Sequence, residues 1–154
     1  MAIAAECRAG GTMGRIRLER VPNIGAPTLH DFVLDNVETG SVIYTDGLPS
    51  YRGLDKLGYE HWPTAIAQTN SPAHVVLPCV HRVASLLKRW LLGTHQGGLH
   101  VEQLDYYLDE FVFRFNRRTS RDRGKLFYRL IELATQHEQT TYRQLVDGPN
   151  PQPA

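Results

Sequence analysis

The sequence predicts an α/β fold whose C-terminal half is helical, and three observations carry that expectation. The first half holds period-two alternation and short apolar runs bounded by glycine, the pattern of strands. From about residue 80 the apolar period becomes helical and stays so to about residue 134. The chain has 154 residues, 42% hydrophobic and 21% charged, which suits one globular domain with a single core. Strands first, helices interleaved and then dominating, is an α/β layer arrangement.

The elements follow in order. "MAIAAE" and "GRIRLERV" (14–21) read as two strands joined by the Gly-rich "CRAGGTM". In the second, Ile16 and Leu18 alternate with Arg15, Arg17 and Glu19, as in a half-buried strand. "APTLHDFVLDNV" (26–37) spaces Leu29, Phe32 and Val33 as a helix does. "GSVIYTDG" (40–47) reads as a short buried strand with Asp46 at its C-terminal end. Residues 48–59 suit short helices or turns, "EHWPTAIA" an edge strand because of Pro63, and 68–78 a loop. Val83, Leu86, Leu87, Trp90 and Leu91 form one helical stripe, with Gly93 placed to end the helix. Leu104, Tyr107, Leu108, Phe111 and Phe115 form a second helix, over 101–118. "NRRTSRDRGK" (116–125) is a basic turn, "LFYRLIELATQH" a third helix, and residues 135–154 are expected to be a disordered or weakly ordered tail.

Composition narrows the class. The N-terminus has no basic segment before an apolar run, and no stretch is long enough to cross a bilayer, so no membrane partner and a cytoplasmic location are expected. Two cysteines, Cys7 and Cys79, argue against a disulfide framework. The net charge of +1 hides an uneven distribution. Residues 1–80 carry −2, residues 81–129 carry +5 and residues 130–154 carry −2. Positive charge gathered in one third of the chain suits a polyanion-facing surface, although a solvated helical face has the same signature.

Two features could carry chemistry. Asp46, at a strand end before a glycine, stands where α/β folds bind ligands, or else it caps the following turn. In "LPCVHRVASLLKRWLLGTHQG", His81, Ser85 and Lys88 fall within roughly 60° on a helix, opposite the apolar stripe and flanked by Arg82 and Arg89. That polar stripe is either an ordinary wet face or part of an anion-handling site. A zinc site from Cys79, His81, His95 and His100 matches no usual spacing.

"GSVIYTDGLPSYRGLDKLGYEH", "VHRVASLLKRWLLGTHQG" and "YLDEFVFRFNRRTSRDRGKLFYRLIE" together resemble DDE-type transposases of bacterial insertion sequences, the ISXO-type group, over residues 2 to 134. The resemblance implies an RNase H-like mixed sheet with flanking helices. It further implies a catalytic domain spanning 1–134, with DNA strand cleavage and transfer at element ends by two-metal chemistry with Mg²⁺ or Mn²⁺. Transposon-end DNA is the implied partner, with self or an intact transposase subunit as possible others. By motif, Asp46 matches the second acid of the triad and His81 the position of the third, with Lys88 as its basic companion. The implied metal ligands are therefore Asp46 and His81. Arg82, Lys88, Arg89, Arg114, Arg117, Arg118 and Arg121 are the implied DNA contacts.

Two departures from the family pattern shape the expectation of activity. His81 replaces the usual Glu, and a neutral imidazole adds no negative charge and prefers softer ions than Mg²⁺. The family's first Asp belongs to an opening strand before the one matched by "MAIAAE", for which Glu6 and Asp31 are poor substitutes. The chain is therefore expected to lack that strand and to be catalytically incomplete, with a non-catalytic remnant that binds DNA or an intact subunit as the alternative reading. Glu110 is the alternative third acid, and a helical ion pair with Arg114 is its plain explanation.

Overall fold

The computed structural model describes residues 1–64, 76–95, 100–136 and 138–147. Strands β1 (Ala2–Arg8) and β2 (Thr12–Glu19) form an antiparallel hairpin in the register Ile3↔Leu18 and Ala5↔Ile16. Its turn uses Gly10 and Gly11 at φ of 76° and 73°, a region open to glycine at little cost, which explains the Gly-Gly pair. A register shift between Ala5 and Cys7 makes Glu6 a bulge residue. Its carboxylate accepts bonds from Arg8 Nε at 2.7 Å and from the Arg15 backbone N–H at 2.8 Å. Those bonds, Arg8's first, hold the Glu6 carboxyl below its ordinary pKa. The carboxylate lies over Gly14, where a Cβ would fall 2.0 Å from Glu6 Oε2.

Helix α1 (Ala26–Asn36) follows, with proline in its first turn, and then β3 (Val42–Thr45). Two 3₁₀ turns, Pro49–Tyr51 and Leu54–Leu57, lead into β4 (Glu60–Pro63), which pairs with β3 in parallel. β3 is not the buried strand its apolar run suggests. Val42 and Tyr44 are 47% and 62% exposed, because α1 covers only one side of this two-stranded pair.

Helix α2 (Pro78–His95) runs past Gly93, contrary to the expected stop. A helical interior glycine costs only about 1 kcal/mol, and the stripe from Val83 to Leu91 anchors the helix regardless. A 3₁₀ turn, Val101–Gln103, opens onto α3 (Leu104–Asn116), and α4 (Arg123–Gln136) and α5 (Tyr142–Asp147) complete the described chain. Helix α5 falls within the stretch expected to be weakly ordered. Most of the expected 68–78 loop and residues 148–154 of the tail lie outside the described residues.

Two apolar clusters organise the molecule. One face of the hairpin, Ile16 and Leu18 with Ile3 and Ala5, packs on Val83 and Leu87 of α2 and on Leu108, Phe111 and Phe115 of α3. The other gathers Ala2 of β1, Leu29, Phe32 and Val33 of α1, and Leu54 and Tyr59, with Ile43 of β3 against it. Helix α1 thus bridges the two pairs, which among the described residues are separate two-stranded sheets and not one continuous mixed sheet.

The cysteines correct an expectation. Cys7 and Cys79 are disulfide-bonded, with Cα atoms 6.3 Å apart. The packing of α2 on β1 brings them together across 72 residues of sequence, a juxtaposition that their number and spacing could not reveal.

Candidate functional site

Asp46 follows β3 directly, at the C-terminal end of the parallel pair. Its carboxylate is exposed, and Oδ1 accepts the Leu48 backbone N–H at 3.2 Å, the Asx geometry of a turn-capping aspartate. Gly47, at φ 81°, lets the chain reverse here. Beside Asp46, a shallow pocket of about 420 Å³ is lined by Gly47, Leu48, Arg52, Gly53, Asp55, His61 and Pro63. Burial, then the Asp46 charge, push the Tyr51 hydroxyl above its ordinary pKa.

His61 is the residue that sequence reasoning missed. It sits on β4, where Nε2 lies 2.9 Å from Oγ1 of the buried Thr45, and burial holds its pKa below the ordinary value, with Asp55 opposing. "EHW" reads as plain strand, so only the parallel pairing of β3 with β4 discloses this neighbour.

The polar stripe of α2 lies where helical spacing places it. His81 is half-buried, Ser85 and Lys88 are exposed, and Arg82 and Arg89 stand in solvent beside them. Asp46 and His81 are carried by different elements. Asp46 extends from the β3–β4 pair under α1, whereas His81 stands on the first turn of α2, packed on β1.

The basic corner after α3 divides into two groups. Asn116 binds β2 as another strand would: Ile16 N–H donates to Oδ1 at 2.8 Å, and Nδ2 donates to Ile16 C=O at 3.0 Å. Arg118 donates to the carbonyls of Met13, of Gly14 at 3.2 Å and of Phe115 at 2.9 Å, and stacks on Phe115 with its guanidinium carbon 4.1 Å from the ring centroid. These two side chains fasten the end of α3 to β2. Arg117 lies over Phe113 at 4.0 Å. Burial lowers the Arg117 pKa, and the neighbouring charges of Arg129 and Arg15 lower it further, the mark of several guanidiniums crowded together. Arg121 is exposed. Arg114 pairs with Glu110 at 2.9 Å, the (i, i+4) ion pair that accounts for Glu110 without chemistry.

The family resemblance implies divalent ions, and the residues described do not fit a two-metal centre. Among the described residues no group of three His, Cys, Asp or Glu side chains is gathered to hold a metal. Glu6 is committed to Arg8 and Arg15.

Comparison with known proteins identifies the lineage. The chain is 25% identical over 112 residues to an uncharacterized transposase-like protein of Haemophilus influenzae, covering 73% of this chain and 89% of that protein. No solved structure matches it. The family profile of the ISXO2-like transposase domain matches residues 1–116, three quarters of the chain and all of the hairpin, α1, the β3–β4 pair, α2 and α3. The chain belongs to the ISXO2-like transposase family of insertion sequences.

Proposed function

We propose that this domain serves DNA transposition by gripping the DNA backbone through its basic surface, and that it does not cleave DNA on its own. One observation carries this reading. Arg82, Lys88 and Arg89 of α2 stand in solvent on the side away from the core, while among the described residues no three carboxylate, imidazole or thiol groups are gathered to hold a metal. Exposed cations along a helix suit phosphate contacts, which position a duplex without reading its sequence. Arg117 and Arg121 add further positive charge at the α3–α4 corner. Arg114 and Arg118, held by Glu110 and by β2 carbonyls, contribute less to DNA and, in the case of Arg118, more to the fold.

The RNase H-like arrangement belongs to the same reading. An antiparallel hairpin, a covering helix and a parallel pair follow one another in the order such a sheet requires, and both half-sheets pack on α1. A further strand between β1 and β3 would join them, and an acid on that strand would stand beside Asp46. The cytoplasm is the compartment that fits. Among the described residues no helix is long and apolar enough to cross a membrane.

The test is the salt dependence of binding to duplex DNA. Replacing Arg82, Lys88 and Arg89 together with alanine lowers the slope of log K against log salt by about 0.9 per lost phosphate contact, or roughly 2 to 3 in all. An unchanged slope would overturn the assignment of this surface.

A further inference from the structure

Helix α4 lies beyond the residues matched by the family profile, and it turns most of its apolar side chains outward. Phe127, Leu130, Ile131 and Ala134 follow the i, i+3, i+4, i+7 spacing, which gathers them within roughly 100° on the helix. That stripe is open: Phe127 is 67% exposed, Leu130 and Ile131 are 49% exposed, and Ala134 is exposed as well. Leu126 and Leu133, to one side, are half-buried. The polar side chains Lys125, Arg129 and Glu132 occupy the opposite face, with Arg129 and Glu132 paired to each other. The helix therefore has a wet face already, and its apolar arc is left over.

We infer that α4 pairs with α4 of a second copy of this chain, antiparallel about a two-fold axis passing between residues 130 and 131. Two-fold symmetry makes each contact reciprocal. About that axis Leu130 meets Ile131 of the second copy, and Phe127 meets Ala134, so the largest side chain of the stripe faces the smallest. Such alternation lets two helices interdigitate without a void or a clash.

The area supports a second copy as a weak but specific occupant. An aromatic side chain buries about 150–250 Å², so the open stripe with the adjoining Tyr128, 76% exposed, offers on the order of 400 Å² per copy. The pair then covers about 800 Å², a little below the roughly 1,000 Å² of a durable interface. DNA is the poorer occupant: Lys125 and Arg129 lie on the face away from the stripe, and Arg123, one turn before Phe127 by helical spacing, is the single basic residue beside it.

Sedimentation equilibrium on the full chain, from about 1 μM to about 1 mM, tests the inference. The expected result is a monomer–dimer equilibrium. Phe127→Ala leaves a void against Ala134 and Ala134→Phe a clash against Phe127, and each weakens the dimer about tenfold or more. The double variant F127A/A134F exchanges the two partners across the axis and recovers most of the affinity, which a residue needed only for folding would not do. Ile131→Asp, checked for intact helix content by far-UV circular dichroism, is expected to be folded and monomeric, and it stands in if a size-changing variant fails to fold. A wild-type chain that is monomeric throughout, a dimer indifferent to these changes, or a double variant no better than the single ones would overturn the inference. So would a monomer whose thermal midpoint falls in Ile131→Asp, since the stripe would then pack on its own chain.

Discussion

Removing the Asn116 amide should unfasten the outer edge of β2. Its two bonds to Ile16, at 2.8 and 3.0 Å, satisfy a backbone N–H and C=O on a residue whose side chain is wholly enclosed. Asn116→Ala deletes both bonds and leaves Ile16 N–H unpaired in a partly buried place, while Ile16 C=O keeps the Arg17 Nη1 donor at 3.3 Å. Each bond is worth about 0.5–1.5 kcal/mol net, and a stranded buried group costs about 1–3 kcal/mol. Partial access of water to this edge lowers the sum, so the expected loss is about 3 kcal/mol. For a chain of this size that corresponds to a fall in Tm of roughly 6–12 °C, read by thermal or urea denaturation. Asn116→Asp separates the two bonds. The carboxylate still accepts from Ile16 N–H but opposes Ile16 C=O, whereas the protonated acid can donate to it. The folded state therefore raises the pKa of the introduced acid above its unfolded value near 3.9. The variant's stability relative to the parent is greatest below that value and is lost as pH rises through the folded pKa. A loss under about 0.5 kcal/mol in Asn116→Ala would refute the reasoning and show that water pairs this edge equally well.

Other consequences concern the cysteines and His61. Reducing the Cys7–Cys79 bond, which spans 72 residues, should cost up to about 4 kcal/mol by the chain-entropy argument, measured as a shift of the urea midpoint with and without reductant. An equal midpoint would mean the bond constrains nothing in the unfolded chain. Burial depresses the His61 pKa in the folded state, so the unfolded chain takes up the proton first on acidification. Stability is therefore complete above the unfolded pKa of about 6.5 and declines as pH falls below it. His61→Gln should flatten that decline in a pH series of thermal midpoints, and an identical acid limb in the variant would contradict the assignment.

Much of the fold is legible in the residues themselves. Alternation in 14–21 gives β2, and the helical spacing of Val83–Leu91 and Leu104–Phe115 names the side chains that meet in the core. These patterns are local and periodic, so a single stretch suffices to show them. Gly93 misleads because a glycine stop signal is weak against a long apolar stripe on the same helix. The exposure of Val42 and Tyr44 escapes because an apolar run does not say how many layers will cover it. The site is less legible for a related reason. "YTDG" leaves Asp46 open as ligand or cap, and the bond from Leu48 N–H, which only the fold discloses, shows that it caps the turn whatever else it binds. Asn116 and Arg118 look like part of a basic turn, yet their partners lie on β2, 100 or more residues earlier, where no local pattern points. His61 and the Cys7–Cys79 bond depend on the same kind of long-range pairing.

The central claim, that this transposase-family domain holds DNA without cutting it, is tested most directly by a strand-cleavage assay. Pure protein is incubated with duplex DNA carrying the element's ends, first with Mg²⁺ and then with Mn²⁺, and the products are resolved on a denaturing gel beside a binding measurement on the same samples. The account predicts salt-sensitive retention of the DNA with every strand intact. Specific nicking at the element ends that disappears in Asp46→Ala would contradict it, and would mean that Asp46 works with ligands outside the packing units described here.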